Sequence, residues 1–341
     1  MKKAALILVL GAFAVAASSA QKKTNDFSYS GEIRRDHPFE VWNKKKEAAS
    51  VGERIRVAFY NIENFTDADN DGPARTLDDA QAQAKNAASL VQEINPDVVM
   101  LAEIENEHSL KMLNDALEKP FPFGWVTRLG DGESNAERLN LAILSRIEPK
   151  ELVELDFGPT TGAGRPPRGL LRATFDLGGD HLLTVYGVHL KSNFGYTPRN
   201  MNKRKHALDE LVADAKALQK DSTATQELLV IGDFNVDPES KEFEGDWSLS
   251  PLRSWADLWN GAPLHERTTI PTRYGDPALE FPPACFDRVY AAGDATNYPW
   301  RVGAPGVLQR GVSERISDLP GQNGHASDHY PVWIDLTRDA E

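Results

Sequence analysis

The stretch Leu228-Leu229-Val230-Ile231-Gly232-Asp233-Phe234-Asn235 places a short apolar run directly before an acid and an amide. A run of this length and composition predicts a buried strand. In layered α/β folds, ligands bind at the loops that lie beyond strand ends. An Asp-Phe-Asn sequence after one strand is often only a cap or a turn, so this stretch needs support from elsewhere in the chain.

Four other apolar runs end in the same way. They are followed by Asn61 and Glu63 in YNIEN, by Glu103 in LAEIEN, by His189 in VHLKSN, and by Asp328 and His329 in ASDHYPV. Capping alone does not easily account for five strand ends that all carry oxygen or imidazole groups and no thiol. We therefore predict that these strand ends form a functional site.

The donors at the predicted site suit a hard cation. Glu63, Glu103 and Asp328 offer carboxylates, and Asn61 and Asn235 offer amide oxygens. Such oxygen ligands, together with retained water, favour Mg²⁺ or Mn²⁺ over zinc. Two histidines beside carboxylates supply acid–base groups near neutral pH. The sequence has no glycine-rich phosphate loop and no serine nucleophile elbow, so these groups best suit metal-assisted attack of water on a phosphate ester.

Strand-like and helical segments alternate along the chain and predict one α/β domain. Strands are expected at residues 55–60, 97–102, 139–144, 170–175, 181–189, 228–231, 287–291 and 330–335. Helices are expected from a capping box at Thr76–Asp79 to near Asn95, at 109–118 and at 203–218. We assign residues 53–338 to this domain and the polar residues 21–52 to an N-terminal arm, with Phe39, Val41 and Trp42 packed on the domain.

The first twenty residues have the pattern of a secretory signal peptide. Lys2 and Lys3 precede an apolar run from Ala4 to Ala17, and Ser18-Ser19-Ala20 gives a small-residue cleavage site. The alternatives are a membrane anchor or a buried helix, but the run is short for a membrane span. We expect a periplasmic or extracellular protein without a stable membrane anchor.

The overall charge and the cysteine count restrict the class of protein. The formal net charge of −13 argues against a tight, sequence-blind grip on nucleic acid, because such binding needs many Lys and Arg side chains at phosphates. It does not exclude an enzyme that contacts phosphate in one local cleft. With Cys285 as its one cysteine, the chain cannot form an intramolecular disulfide framework or a multi-cysteine zinc site. The sequence implies no protein partner, and we expect a monomer.

Taken together, the motifs resemble those of the endonuclease/exonuclease/phosphatase superfamily. The resemblance rests on Tyr60–Asn64, Glu103, His189–Ser192, Gly232–Asn235, Asp287-Arg288 and Ser327–His329, which occur in the family's order and cover about residues 55 to 336. Members include pancreatic deoxyribonuclease, apurinic endonucleases, sphingomyelinases and inositol phosphatases. The resemblance implies a four-layer α/β sandwich, in which two packed mixed β-sheets are flanked by helices.

The resemblance also implies roles for individual residues. Glu103 resembles the principal metal carboxylate, with Asn61, Glu63 and Asp328 as further metal-binding residues. Where some relatives have Asp, Glu63 has a longer side chain that is expected to alter the metal distance or coordination.

The implied catalytic residues are His189, Asp233, Asn235, Asp287 and His329. Asp233 resembles the residue that orients or deprotonates the attacking water, and Asn235 resembles the one that holds a phosphate oxygen. His329 resembles the catalytic histidine that a carboxylate, here Asp287, steers. His189 resembles a second histidine that stabilises the phosphate or protonates the leaving oxygen. Glu137 lies near, but out of register with, a glutamate that orients this histidine in some relatives.

Local matches favour a nuclease within the superfamily. LAEIEN, Arg165-Pro166-Pro167 and His189–Ser192 are similar to stretches of secreted bacterial nucleases, and Arg128-Leu129-Gly130 and Cys285–Arg288 are similar to stretches of pancreatic deoxyribonuclease. The substrate-binding residues expected on this basis are Arg128, Arg165, Arg168 and Lys191. For Arg128, a phosphate contact and a solvated surface position remain equal alternatives.

Two other functions stay open. One is a phosphatase or a phospholipase C-like hydrolase of small or lipid phosphoesters. The other is a binding protein that keeps the fold without the chemistry, which is disfavoured because every polar position of the motifs carries a competent side chain. Substrate length separates the first from a nuclease, because a polymer needs an open basic groove and a small ester a closed pocket.

Two further charged segments have alternative interpretations. The basic residues Arg165, Arg168 and Arg172, and likewise Arg199, Lys203, Arg204 and Lys205, form either solvated faces or the walls of a phosphate groove. Asp67, Asp69 and Asp71 have the spacing of the start of a calcium loop, with Asp78 at its closing position. Pro73 and Arg75 stand where ligands are expected, so an acidic turn is the alternative to a structural Ca²⁺ site.

Overall fold

Two β-sheets lie face to face in the computed structural model, and helices cover their outer faces. The structure describes residues 27–69, 75–128, 139–158, 160–195, 197–222, 224–292 and 300–338. The predicted signal peptide, Asp71 of the predicted calcium loop and Glu137 lie outside these residues.

The chain forms seventeen described strands and four described α-helices. In chain order the strands are β1 (Tyr29–Ser30), β2 (Arg34–Asp36), β3 (Phe39–Asn43), β4 (Arg54–Phe65), β5 (Val98–Ile104), β6 (Phe123–Val126), β7 (Asn140–Ser145), β8 (Glu151–Asp156), β9 (Thr161–Gly162), β10 (Leu170–Gly178), β11 (His181–His189), β12 (Thr225–Asp233), β13 (Ala256–Asp257), β14 (Asp287–Ala292), β15 (Trp300–Val302), β16 (Gly306–Val307) and β17 (Val332–Arg338). The helices are α1 (Leu77–Ile94), α2 (Glu107–Asp115), α3 (Thr197–Asp221) and the single turn α4 (Leu264–Arg267).

Both large sheets are mixed. One has seven strands in the order β13-β14-β12-β11-β10-β8-β2, and the other has eight in the order β15-β17-β4-β5-β7-β6-β3. Each contains one parallel pair near its centre, β11 with β12 and β4 with β5. The carboxyl ends of these four strands carry the polar motifs of the sequence.

Three apolar clusters separate four layers. Val57, Phe59 and Met100 of the eight-stranded sheet pack against Val185 and Leu229 of the seven-stranded sheet in the cluster between the sheets. A second cluster joins α1 and α2 to the outer face of the eight-stranded sheet, and a third joins α3 to the outer face of the seven-stranded sheet. The four-layer α/β sandwich with two mixed sheets is therefore confirmed.

The N-terminal arm takes part in both sheets. β2 pairs with β8 at one edge of the seven-stranded sheet, and β3 pairs with β6 at one edge of the eight-stranded sheet. β1 pairs with β9 outside the two large sheets. The described part of residues 21–52 is thus bound through three short strands to strands that lie far away in sequence.

Helix boundaries follow local capping signals where these exist. The Thr76 hydroxyl accepts a hydrogen bond from the Asp79 backbone N–H at 3.1 Å, and α1 ends at Asn95, which has φ +49°. By contrast, α3 begins at Thr197, six residues before the predicted start. Strands β6 and β8 were not predicted from the sequence. Among the described residues, no helix combines the length and apolarity that a membrane span requires.

Candidate active site

The strand ends of the seven-stranded sheet bring three polar residues into one row. His189 at the end of β11 pairs with Asp233 at the end of β12, and Asp233 pairs with Asp287 at the start of β14. The facing edge of the eight-stranded sheet supplies Asn61 from β4 and Glu103 from β5. β17 begins beside this part of β4, because its Val332 pairs with Phe59. His329 lies three residues before Val332 and therefore at the same edge.

A bulge directs Glu103 toward this edge. Asn61 pairs with Ala102, whereas Phe65 pairs with Ile104, so β4 has two more residues than β5 over this interval. Glu103 has a left-handed φ of +62°, which is strained for a glutamate. The Asn64 backbone N–H donates to Glu103 Oε2 at 2.7 Å and fixes the carboxylate in place.

The Asn61 side chain connects the two sheets. Its Nδ2 group lies 3.1 Å from Glu103 Oε1, 3.2 Å from Asp233 Oδ2 and 3.4 Å from His329 Nε2. This places an amide donor between two carboxylates, which settles the orientation of the amide because Oδ1 would be repelled there. Asn61 Oδ1 is buried and has no hydrogen-bond donor among the described residues.

Asn235 orients Asp233. The Asn235 backbone N–H donates to Asp233 Oδ1 at 2.8 Å, and its Nδ2 group donates to Asp233 Oδ2 at 3.0 Å and to the Leu190 carbonyl at 3.1 Å. Both amide hydrogens of Asn235 therefore have acceptors within the protein. The family resemblance predicted that this amide holds a phosphate oxygen, whereas in this structure it holds the carboxylate of Asp233.

His329 and Asp287 form a hydrogen-bonded dyad. His329 Nδ1 lies 2.7 Å from Asp287 Oδ2, which leaves Nε2 facing Asp233 Oδ2 at 3.8 Å. The Ser327 hydroxyl accepts from the His329 backbone N–H and donates to the Asn61 carbonyl, so it links the dyad to the end of β4. The Thr269 hydroxyl accepts from the backbone N–H of Asp287.

The two histidines have opposite pKa shifts. Burial lowers the pKa of His189 well below its ordinary value, and the positive charges of Arg168, His329 and Lys191 add to this effect. Burial also disfavours a charged His329, but the carboxylates of Asp287 and Asp233 outweigh it and raise the pKa of His329 well above its ordinary value. His329 is therefore the cationic histidine of the site, and His189 the neutral one.

Asp233 lies at the centre of the cluster. Its Oδ2 atom is 3.5 Å from His189 Nε2, and burial raises the pKa of the carboxyl to about 7, although the nearby charge of His329 opposes this. His189 Nε2 also lies 3.6 Å from Glu103 Oε1. A carboxyl group with this pKa can exchange a proton near neutral pH.

The other two predicted metal residues lie beside the main cluster. Glu63 Oε2 is 2.9 Å from Nε2 of the buried His325, and Asp328 Oδ1 is 3.9 Å from His329 Nε2. The Ser313 backbone N–H donates to His325 Nδ1 at 3.1 Å and so fixes the ring with Nε2 toward Glu63. Burial and the charge of Glu63 raise the pKa of Asp328.

The predicted substrate-binding residues lie at different distances from this cluster. Arg168 Nη1 donates to the Leu190 carbonyl at 3.1 Å, so it contacts the segment that follows His189. Lys191 lies on that segment, and its Nζ donates to the Ser192 hydroxyl at 2.8 Å. Arg165 is half-buried beyond β9. Arg128 is exposed, with its guanidinium carbon 4.0 Å from the centre of the Phe39 ring.

Two of the basic residues are neither groove walls nor solvated. Arg172 is buried, with Nη1 2.7 Å from Asp214 and Nη2 2.8 Å from Glu151. Arg204 is also buried, and its Nη2 lies 2.6 Å from Asp246. Both alternatives considered for these two arginines are therefore wrong, because acids that lie far away in sequence neutralise them inside the protein.

Sequence reasoning missed three residues that shape the site. His325 faces Glu63, Thr269 holds the backbone of Asp287, and Asn193 Nδ2 donates to the Asn235 carbonyl. Asn193 directly follows the motif that ends at Ser192, so its position offered a signal. No local pattern distinguishes Thr269 or His325, because their partners lie elsewhere in the chain.

The donors fit a hard cation held largely by water and substrate. Glu103 offers carboxylate oxygens, and the neighbouring Asn61 offers the amide oxygen Oδ1, which has no donor among the described residues. Within the described ranges, no three His, Cys, Asp or Glu side chains are arranged to hold a metal alone. Mg²⁺ commonly binds through one or two carboxylates and keeps several waters, so a sparse set of this kind suits it.

The predicted calcium loop makes local hydrogen bonds in its described part. Asp67 Oδ1 accepts from the Asp69 backbone N–H at 3.0 Å, and Asp67 Oδ2 accepts from Asn106 Nδ2 at 3.0 Å. These contacts use both oxygens of Asp67 and tie the turn to the start of α2.

Comparisons with known proteins agree with the fold and the motifs. A model of the Endonuclease/Exonuclease/phosphatase family matches residues 58–329. Comparison with curated proteins gives no match. Solved structures, by contrast, include several that share the fold at low sequence identity.

TDP2 from D. rerio in complex with single strand DNA product has a TM-score of 0.57 and 17% identity, and the alignment covers 84% of this chain and 100% of that one. SmcL has a TM-score of 0.58 and 16% identity, with 83% and 99% covered. An endonuclease/exonuclease/phosphatase from Beutenbergia cavernae DSM 12333 has a TM-score of 0.54 and 17% identity, with 84% and 72% covered. At these identities the similarity supports the fold alone.

Proposed function

The chain belongs to the Endonuclease/Exonuclease/phosphatase family, whose members hydrolyse phosphoester bonds, and from this premise we propose that it is a secreted, Mg²⁺-dependent nuclease. The observation that carries the proposal is the convergence of Asn61, Glu103, His189, Asp233 and the His329–Asp287 dyad at one edge of the two sheets. Hydrogen bonds within the protein orient Asn61, Glu103, Asp233 and His329.

In the proposed reaction Asp233 accepts the proton of the attacking water. Asn235 holds both oxygens of this carboxylate, so its position is fixed before the substrate binds. The cationic His329, whose ring Asp287 orients through Nδ1, stabilises the negative charge that develops on the phosphate oxygens. The same imidazolium can give its Nε2 proton to the leaving oxygen. His189, neutral and buried with Nε2 3.5 Å from Asp233 Oδ2, is proposed to stabilise the phosphate.

A divalent cation fits beside Glu103 and Asn61 Oδ1. When bound, Mg²⁺ or Mn²⁺ would neutralise phosphate charge and lower the pKa of water. Family enzymes generally use divalent metal ions, in agreement with this donor set. Glu63 and Asp328, beside the main cluster, are proposed to add negative charge near the cation.

Nucleic acid is the proposed substrate because positive charge lies next to the reacting groups. Arg168 and Lys191 lie close enough to His189 to lower its pKa, and we propose that they attract phosphate to the site despite the overall charge of −13. A secreted enzyme of this kind would act on extracellular DNA or RNA.

The test uses purified protein with Mg²⁺, and with EDTA as the control. Plasmid DNA, single-stranded RNA, sphingomyelin vesicles and a small chromogenic phosphodiester are offered separately. Cleavage of DNA or RNA that EDTA abolishes and that Asp233→Asn removes is the expected result. Hydrolysis of sphingomyelin or of the small ester without cleavage of nucleic acid would instead favour a lipid or small-phosphoester hydrolase.

A further inference from the structure

Two exposed aromatic side chains lie on loops that meet at one buried arginine. Phe194 is 60% exposed and Trp247 is 41% exposed. Arg204 binds the first loop through Asn193 Oδ1 at 2.9 Å and the second through Asp246 Oδ2 at 2.6 Å and Ser248 Oγ at 3.0 Å. Each aromatic residue is therefore the chain neighbour of a residue that contacts the same guanidinium.

The loop of Phe194 is also fixed to the catalytic residues. Asn193 Nδ2 donates to the Asn235 carbonyl, and Asn200 Nδ2 donates to the Phe194 carbonyl at 2.8 Å. Lys191, two residues after His189, reaches the same carbonyl at 3.5 Å. The backbone of Phe194 is thus held on several sides while its ring stays in solvent, one residue from a direct contact with Asn235.

Basic residues flank Phe194 in the sequence. Lys191 precedes it, and Arg199 and Lys203 follow it at the start of α3. An exposed aromatic ring on a fixed backbone, with basic residues before and after it in the sequence, matches a base attached to a phosphate chain, since stacking is favourable for every base and cations attract the backbone. An insertion into lipid would call for a contiguous apolar surface, whereas these neighbours are polar or charged.

We propose that Phe194 and Trp247 form an aromatic platform that stacks bases of single-stranded nucleic acid next to the scissile phosphate. This inference rests on the proposed nuclease function and names the part of the substrate that the site recognises besides phosphate. Arg204 acts as a positioning residue, because it holds both loops and is itself buried.

The test measures equilibrium binding in an Asp233→Asn background, so that the substrate is not consumed. The probes are a fluorescent thymidine decanucleotide and a decamer of abasic spacers with the same phosphates. With the platform intact, the protein is expected to bind the base-bearing oligonucleotide more tightly than the abasic one. Phe194→Ala is expected to reduce this ratio of affinities by about 5- to 150-fold, which corresponds to the loss of one stacked base. Trp247→Ala is expected to act in the same direction, whereas Phe194→Trp should keep the preference.

Leu77→Ala provides the matched control. Leu77 is 52% exposed but begins α1, on the opposite outer layer from α3. This variant should bind both oligonucleotides as the parent does. Equal loss in Leu77→Ala, or an unchanged preference in Phe194→Ala and Trp247→Ala, would overturn the platform.

The experiments distinguish failure of the proposed nuclease function from failure of the aromatic platform. If the wild-type protein cleaves no nucleic acid, the nuclease function fails and the platform with it. If it cleaves nucleic acid but the aromatic variants keep the base preference, only the platform fails. Vesicle binding by wild type that Phe194→Leu keeps and Phe194→Ala loses would identify lipid as the occupant and overturn a base-stacking role.

Discussion

At the scale of single residues, Glu103 combines a strained backbone with a carboxylate that two hydrogen bonds hold. Its left-handed φ and its contacts with Asn61 and Asn64 indicate that its orientation matters more than local stability. The sequence motif identified this residue correctly as part of the cluster. The backbone strain could not be inferred from the motif, because it follows from the register shift between β4 and β5.

Glu103→Gln is expected to weaken Mg²⁺ binding and to abolish activity at ordinary Mg²⁺ concentrations. The change removes one anionic ligand and leaves a hard cation short of charge compensation, while its size and shape keep the fold. Calorimetric Mg²⁺ titration and turnover should be measured together with the exposed control Glu118→Gln. Unchanged affinity and turnover in Glu103→Gln would exclude its role as a metal ligand.

His329→Ala is expected to lower turnover by about 10²- to 10⁴-fold, the usual effect of a positioned acid–base or electrostatic group. Asp287→Asn should have a similar effect, since it removes the carboxylate that orients His329 and favours its charged form. Because the two residues form one dyad, the double variant should be little worse than either single one. Steady-state kinetics of the four proteins, with His265→Ala as an exposed control, provide the test. Fully multiplicative losses would show that the residues act independently.

At the scale of elements, two neighbouring strands approach each other unusually closely at Gly232. A Cβ atom at this position would lie 2.1 Å from the Val188 carbonyl oxygen and 2.8 Å from the Val188 nitrogen. Residue 232 precedes Asp233, and Val188 precedes His189. This close approach of β11 and β12 therefore helps to set the spacing of two site residues.

Gly232→Ala is expected to destabilise the protein by about 3 kcal/mol, because strand backbone must move to admit the methyl group. Activity should fall as well, since the same movement displaces Asp233 from His189. Urea denaturation is compared with that of Gly52→Ala, where the nearest atom to an added Cβ lies 3.9 Å away. Equal stability of the two variants would contradict the close approach.

Near the opposite end of β12, Glu227 is only 5% exposed, and burial raises the pKa of its carboxyl to about 7. In the unfolded chain the same group ionises near its ordinary value, so ionisation above that value disfavours the folded state. The free energy of unfolding is therefore not reduced by this group at low pH, where the carboxyl is protonated in both states. It falls as the pH rises toward 7, because the group ionises in the unfolded chain before it ionises in the folded protein.

Glu227→Gln is therefore expected to stabilise the protein by about 2 kcal/mol at pH 8 and to have little effect near pH 4. The measurement is the free energy of unfolding of both proteins across this range. The exposed variant Glu47→Gln serves as the reference for a carboxyl in solvent. A difference between wild type and Glu227→Gln that does not change with pH would contradict the raised pKa.

At the scale of the whole molecule, the sequence was most informative where strands are buried on both faces. The segment 181–189 was predicted with the bounds it has, and the apolar runs before Asp233 and Glu103 led to the correct edge of the sheets. Strand β8 escaped prediction because charged residues interrupt its apolar pattern. Its partners, β10 and β2, lie far from it in sequence or in the N-terminal arm.

Buried charges show the same dependence on distant contacts. Arg172 and Arg204 resemble surface charges in the sequence, because nothing local indicates Asp214 or Asp246 as partners. Burial of such pairs requires that both charges are matched within the fold. A count of basic residues in the sequence therefore overestimates the positive charge that is available to bind substrate. Fewer basic residues remain as candidates for phosphate contacts than the sequence suggested.

The last prediction concerns how a chain with a net charge of −13 binds a polyanion. If the substrate is nucleic acid, Arg128 and Arg165 contact backbone phosphates away from the scissile one, and these contacts act only on substrates long enough to reach them. Replacing either arginine with Ala should raise KM for polymeric DNA or RNA. The same replacement should lower the slope of the salt dependence by about 1, because one fewer phosphate is neutralised by the protein.

Hydrolysis of a small phosphodiester, which reaches only the central cluster, should hardly change in these variants. The measurement is kcat/KM for both substrates between about 50 and 200 mM salt. Arg54→Ala is the control, because Arg54 begins β4 and Asn61 lies seven residues farther along the same strand, about 23 Å away. An equal effect on both substrates, or none on either, would exclude a groove of remote phosphate contacts and favour a small or lipid phosphoester as the substrate.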